Sequence, residues 1–83
     1  MNITVRYFAS IREAMSTSSE ELTTQATTVG ALRAELMARS EAAATALAEG
    51  KAVRMALNQD MCQRDAPLKS GDEVAFFPPV TGG

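Results

Sequence analysis

The group in this sequence best suited to chemistry is a backbone end, the α-carboxylate of Gly83. It closes the stretch Asp72-Glu73-Val74-Ala75-Phe76-Phe77-Pro78-Pro79-Val80-Thr81-Gly82-Gly83. A glycine carboxylate has no Cβ to crowd attack at its carbon. Two glycines in succession make a thin end that can enter a narrow channel and lie close to a ligand. Pro78-Pro79 stops sheet pairing just before it, because proline has no N–H to donate and a fixed φ. The four residues beyond the prolines can reach roughly 13 Å. The expectation is a reactive carboxylate on a flexible tail over 80–83. The plain alternative is a frayed end, since termini are commonly disordered. A tail that follows a strand and two prolines without a break favours the first.

The side chains compete poorly with that carboxylate. There is no histidine, so the commonest general base and metal ligand is missing. Cys62 is the one cysteine. It excludes an internal disulfide and fits a reducing, cytoplasmic setting. No base lies near it in sequence, and it reads as a small, partly buried residue rather than a catalytic thiol. No Cys/His cluster offers a zinc site, and neither a glycine-rich phosphate loop nor a Gly-x-Ser-x-Gly elbow is present. A self-sufficient enzyme is not expected; a carrier, a subunit or a binding module is.

The totals narrow the partners. The formal net charge is −2, with acids and bases spread along the chain, which argues against nucleic acid because phosphate binding needs a basic patch. No apolar run approaches the ~20 residues that span a membrane, and the N-terminus lacks the pattern of a signal peptide. With 83 residues, 46% of them hydrophobic, one globular domain over residues 1–83 is expected, burying roughly 60–65% of the unfolded chain's surface.

The elements that must carry the tail follow from periodicity. Asn2 to Phe8 alternates, with Ile3, Val5 and Tyr7 on one face and Thr4 and Arg6 on the other, which predicts a half-buried strand. Phe8 breaks the alternation: either the chain bends and Phe8 joins the core with Ile11, or Phe8 stays out as an apolar spot for a partner. Ser10 to Met15 suits a short helical turn, with Arg12 and Glu13 exposed. Glu21-Leu22-Thr23 offers a second strand returning on the first. Thr28 is an N-cap candidate, followed by Val29, Leu32, Leu36 and Met37 at helical spacing, with Arg33, Glu35 and Arg39 away from that stripe. Ser40 to Gly50 is alanine-rich and predicts a short, loosely anchored second helix, capped by Ser40 and stopped by Gly50. Val53, Met55 and Leu57 alternate as a third strand. Asn58-Gln59-Asp60 is turn chemistry, and Met61-Cys62-Gln63 returns as a fourth strand. Met61 fits either core filling or an exposed contact. Pro67-Leu68 and Ser70-Gly71-Asp72 turn the chain into the last strand, in which Val74 and Phe76 face one way and Ala75 and Phe77 the other. The segment 24–52 is long enough for a helical crossover between parallel strands. The sum is an α+β fold of the β-grasp, ubiquitin-like kind: a mixed sheet of about five strands over one main helix.

The run from Pro67 to Gly83, with its Gly-Asp-Glu-Val, Phe-Pro-Pro-Val and final Gly-Gly, closely resembles the C-terminus of the small subunit of molybdopterin synthase, among the ubiquitin-like sulfur carriers. Val5-Arg6-Tyr7-Phe8-Ala9 with Arg12-Glu13, and Leu57-Asn58 before a turn, are weaker matches to the same family; the alanine-rich 41–50 stretch matches nothing specific. The resemblance implies that an activating enzyme adenylates the Gly83 carboxylate with ATP and that it then becomes a thiocarboxylate. It implies that the tail enters the large synthase subunit, where sulfur passes to cyclic pyranopterin monophosphate to build the molybdopterin dithiolene. Gly82 would keep the entry thin; Pro78, Pro79, Val80 and Thr81 would bind the partner. Phe8, Met61 and Phe77 match the apolar surface through which the family docks. The chain itself would be a non-catalytic sulfur donor with no bound cofactor or metal, in a heterotetramer of two small subunits on a large-subunit dimer. The alternatives are a carrier of the same class for thiamine or tRNA thiolation, a modifier joined to lysines, or an interaction module with an incidental tail. Val80-Thr81, where ubiquitin has an arginine before its glycines, weighs against the modifier.

Overall fold

The computed structural model describes residues 1–48, 50 and 52–79. Five strands, β1 (Asn2–Tyr7), β2 (Ser19–Thr23), β3 (Arg54–Leu57), β4 (Asp60–Met61) and β5 (Glu73–Phe77), form one sheet in the order β2-β1-β5-β3-β4. The first and last strands lie side by side in parallel, and the other neighbours are antiparallel. Three helices complete the chain: α1 (Ala9–Met15), α2 (Val29–Arg39) and α3 (Glu41–Ala46). The 24–52 crossover does join two strands of like direction, β2 and β3, but β1 and β5 separate them. The hydrogen-bonded parallel pair is β1 with β5.

Period-two alternation decides which face of the sheet is covered. Ile3, Val5 and Tyr7 of β1 and Val74 and Phe76 of β5 are fully buried in one cluster with Ile11, Val29, Leu32 and Leu36 from the helices. Tyr7 and Phe76 are register partners, with their rings near-parallel and 6.4 Å apart. Burying each such large side chain contributes about 1.5–3 kcal/mol, so the central β1–β5 pair is where the sheet is most firmly held.

α2 starts where its cap predicts: the Thr28 hydroxyl accepts from the Ala31 N–H at 3.1 Å. Its first amides are also met from outside. Val29 N–H donates to Ala66 O at 3.0 Å and Gly30 N–H to Arg64 O at 2.7 Å, so the loop between β4 and β5 closes the helix start. Four free N–H groups open every helix, and this loop satisfies two of them.

Two expectations about the helices are corrected. Arg33, expected largely away from the apolar stripe, is only 5% exposed. Its guanidinium donates to Leu47 O and Ala48 O, both at 2.7 Å, carbonyls at the end of α3 that the helix cannot pair itself. A long stem beside the stripe reaches an acceptor that no sequence pattern announces. The second correction concerns α3, which is not loosely anchored: Ala43, Ala46 and Leu47 are buried in the core. Ser40 caps it as expected, accepting from Ala43 N–H, but it ends at Ala46, short of Gly50. The small alanines give close packing against α2 and α1, and Leu47 supplies the apolar area they lack.

The second hairpin is shorter than its apolar pattern, with β3 starting at Arg54 and β4 ending at Met61. Asn58 and Gln59 both have positive φ, 51° and 72°, which is the two-residue turn that suits strand twist. Asn58 also fastens this turn to the last strand. Its side-chain oxygen accepts from Glu73 N–H and its amide donates to the Asp72 carboxylate, both at 3.0 Å.

Candidate functional site

The strand that leads to the tail is the middle one of the sheet. β5 is held on both edges, by β1 and by β3, so Phe77, Pro78 and Pro79 leave from the least deformable part of the fold. Val80, Thr81, Gly82 and Gly83 lie outside the described residues.

Phe8 stands beside that exit. The chain does bend after β1, at Ala9 with φ 52°, but the bend carries Ile11 inward and leaves Phe8 39% exposed. The Phe8 ring meets Phe77 edge to face at 6.3 Å, an arrangement aromatic pairs prefer. The Arg6 guanidinium carbon sits 5.4 Å from the Phe8 ring centre, within cation–π range, and Arg6 also lies 3.7 Å from the Glu73 carboxylate. Met61, 54% exposed, belongs to the same outer face: the register runs Arg6, Ala75, Ala56, Met61 across four strands. Phe77 is the partner of Arg54 on that face.

The sequence therefore named three apolar residues that the fold gathers on one side, and missed what lies between and around them. Ala56 and Ala75 make a low floor between the bulky residues, and Arg6 and Arg54 supply positive charge at its margins. The signal was present in the alternation: Ala56 and Ala75 fall on the non-core phase of their strands. Which strands become neighbours is not encoded in any local pattern.

The helix side of the exit has a feature that no motif marked. An apolar pocket of about 160 Å³ lies between Ile11 and Ala14 of α1, Ala46 of α3, Val53 and the proline pair Pro78-Pro79. It draws on four separate parts of the chain.

The remaining polar groups do structural work. Tyr7 donates its hydroxyl to Glu20 at 2.8 Å, and Arg39 holds the same carboxylate at 2.9 and 2.8 Å. Burial alone would raise the Glu20 pKa, but the hydrogen bonds from Arg39 and Tyr7 outweigh it and hold the carboxyl below its usual range. Tyr7 is pushed well above its usual value, chiefly by burial and then by the bond to Glu20. Burial also pushes the Cys62 thiol up, the opposite of what a nucleophilic cysteine needs. Among the described residues, no three His, Cys, Asp or Glu side chains gather as a metal site, and no helix is long and apolar enough to cross a membrane.

A mixed sheet whose first and last strands pair in parallel at its centre, with helices on one face and an apolar patch on the other, defines a ubiquitin-like β-grasp protein. SAMP1 of Haloferax volcanii has this fold: the two superpose with a TM-score of 0.83 over the whole of both chains at 22% identity. The chain belongs to the ThiS family, which it matches over residues 5–83. It is similar to the molybdopterin synthase sulfur carrier subunit of Escherichia coli K12, 48% identical over 81 residues that cover 98% of this chain and 99% of that one. It is also similar to a chain of the solved complex of subunits 1 and 2 of the molybdopterin-converting factor from Helicobacter pylori 26695. That match has 30% identity, a TM-score of 0.70 and full coverage of both chains.

Proposed function

We propose that this chain is the sulfur carrier and small subunit of a molybdopterin synthase, and that the Gly83 carboxylate is its working group. The observation that carries the reading is the likeness to the Escherichia coli sulfur carrier subunit along nearly the whole of both chains. The geometry supports it. The proline pair follows directly on the central strand, and the Phe8–Phe77 patch with Met61 would give a large subunit an apolar seat. A small-subunit relative occurs in a two-subunit complex, which supports that partner.

The chemistry divides between carrier and partners. A carboxylate is a poor electrophile. Attack of its oxygen on the α-phosphorus of ATP, with pyrophosphate leaving, gives an acyl adenylate. A sulfur nucleophile supplied by the pathway then displaces AMP, leaving a thiocarboxylate. Its sulfur, more nucleophilic than oxygen and still covalently held, displaces an oxygen substituent of cyclic pyranopterin monophosphate in the large subunit. Water then cleaves the acyl–sulfur bond, leaving sulfur on the substrate and restoring the Gly83 carboxylate. The chain has no histidine and a cysteine with a raised pKa, so activation falls to an adenylating enzyme. The expected setting is the cytoplasm, in a heterotetramer with the large-subunit dimer.

Incubation with the activating enzyme, ATP and a sulfur source, followed by intact-mass spectrometry, is expected to show oxygen exchanged for sulfur at the C-terminus. An unchanged mass with the tail intact counts against the proposal. Failure to form a complex with the large subunit, with thiocarboxylate formed, redirects the chain to thiamine or tRNA thiolation.

A further inference from the structure

We propose that the pocket at the foot of the tail receives one apolar side chain of the large subunit, beside the point where the tail enters it. This rests on the function proposed above.

Distance brings the partner there. Gly83 lies four residues past Pro79, and four residues reach roughly 13 Å. A centre that takes the Gly83 carboxyl therefore has its walls close to Pro79, and Pro78 and Pro79 are themselves walls of the pocket. Its size and chemistry select the occupant. At about 160 Å³ it is smaller than the ~300–1,000 Å³ of small-molecule sites, and suits a single side chain. Its lining is aliphatic apart from Ser10 and Thr45, so a charged head would lose water there without a partner. The inner walls, Ile11 and Ala46, belong to the buried core, while Ala14, Thr45, Ala52 and Pro79 are exposed at the mouth. The pocket is thus formed before binding, which lowers the cost of seating an anchor. It also continues the Phe8–Phe77 patch around the corner: α1 starts directly after Phe8, and Pro78 directly follows Phe77. One surface can cover both. The large subunit is chosen over the activating enzyme because a solved chain similar to this one was found in a complex of subunits 1 and 2 of the molybdopterin-converting factor.

Filling the pocket from its mouth tests this. Ala14→Leu and Ala52→Leu place extra carbon in it from two different segments, so a folding defect in one leaves the other to decide. Ala34→Leu, on an exposed part of α2 outside the pocket, is the control. Binding to the large subunit is measured by calorimetry, with thermal melting and adenylation by the activating enzyme in parallel. The expected result is a Kd raised about tenfold or more in both pocket variants, with melting and adenylation as in the wild type and Ala34→Leu unaffected. Pocket variants that bind the large subunit like the wild type overturn the proposal. So does a loss confined to adenylation, which assigns the pocket to the activating enzyme. A wild-type chain that does not bind the large subunit at all overturns the functional reading, and this proposal with it.

Discussion

Phe8 shows how one side chain can be displaced from the core without harm to it. The bend at Ala9 hands its place to Ile11, and the ring that is left outside packs against Phe77 and under Arg6. Under the proposed function, such a residue would contribute more to binding than to folding. Phe8→Ala is expected to weaken association with the large subunit by about ten- to a hundredfold, as anchors in an interface do. It should change unfolding free energy by less than about 1 kcal/mol, which calorimetry and urea titration measure separately. Equal losses in both would place Phe8 among the structural residues. A second residue-scale expectation concerns acid. Glu20 is held below its ordinary pKa of 4.5, so the unfolded chain takes up the proton first. The stability it contributes is full above about pH 4.5 and is lost as pH falls through the lower folded value. The Arg39–Glu20 pair is partly exposed, so the effect is small, below about 1 kcal/mol. Glu20→Gln should flatten that part of the acid limb. At the other end, the raised Tyr7 pKa means stability declines once pH rises past the ordinary tyrosine value of 10, and Tyr7→Phe should lessen that decline.

Among the elements, α2 and the loop that closes its start are the most demanding. Gly30 lies against Arg64. A Cβ there would stand 2.9 Å from the Arg64 carbonyl oxygen and 3.0 Å from its Cβ, so backbone, not a flexible tip, would have to move. Alanine is intrinsically the better helix former by about 1 kcal/mol, yet Gly30→Ala is expected to cost about 1–3 kcal/mol through that clash and the strained Gly30–Arg64 hydrogen bond. A urea midpoint above that of the wild type would show that the loop yields freely. Arg33→Met keeps the apolar stem and removes the donors to Leu47 O and Ala48 O. Leaving those carbonyls unmet should cost about 2 kcal/mol or more, and amide exchange should rise first around α3, the element they end.

At the scale of the whole molecule, the proposed function separates the folded sheet and helices from the carboxyl end that would react. Pro78-Pro79 cannot extend the sheet ladder, so removal of Gly82-Gly83 is expected to leave the melting midpoint within about 2 °C of wild type while abolishing thiocarboxylate formation and cofactor synthesis. Survival of cofactor synthesis in the deletion would favour a pure interaction module. A melting midpoint well below that of the wild type would mean that the last residues take part in the fold.

Local pattern alone determined the phases of the strands, the caps at Thr28 and Ser40, the turn at Asn58 and the unusual run from Phe77 to Gly83, because each depends on residues within a few positions of one another. The same patterns leave Phe8 undecided, put Arg33 largely away from the apolar stripe and make α3 a loosely anchored helix. Those three depend on partners far along the chain: Phe77, which comes to stand beside Phe8, the carbonyls at the end of α3, and the space that α1 and α2 leave for Ala43, Ala46 and Leu47. Strand order belongs with them. Only when β5 inserts between β1 and β3 do Phe8, Phe77 and Met61 share a face, and only then do four distant segments close the pocket at the foot of the tail. Side-chain periodicity reports which way a residue faces, but what it faces is set by chain topology.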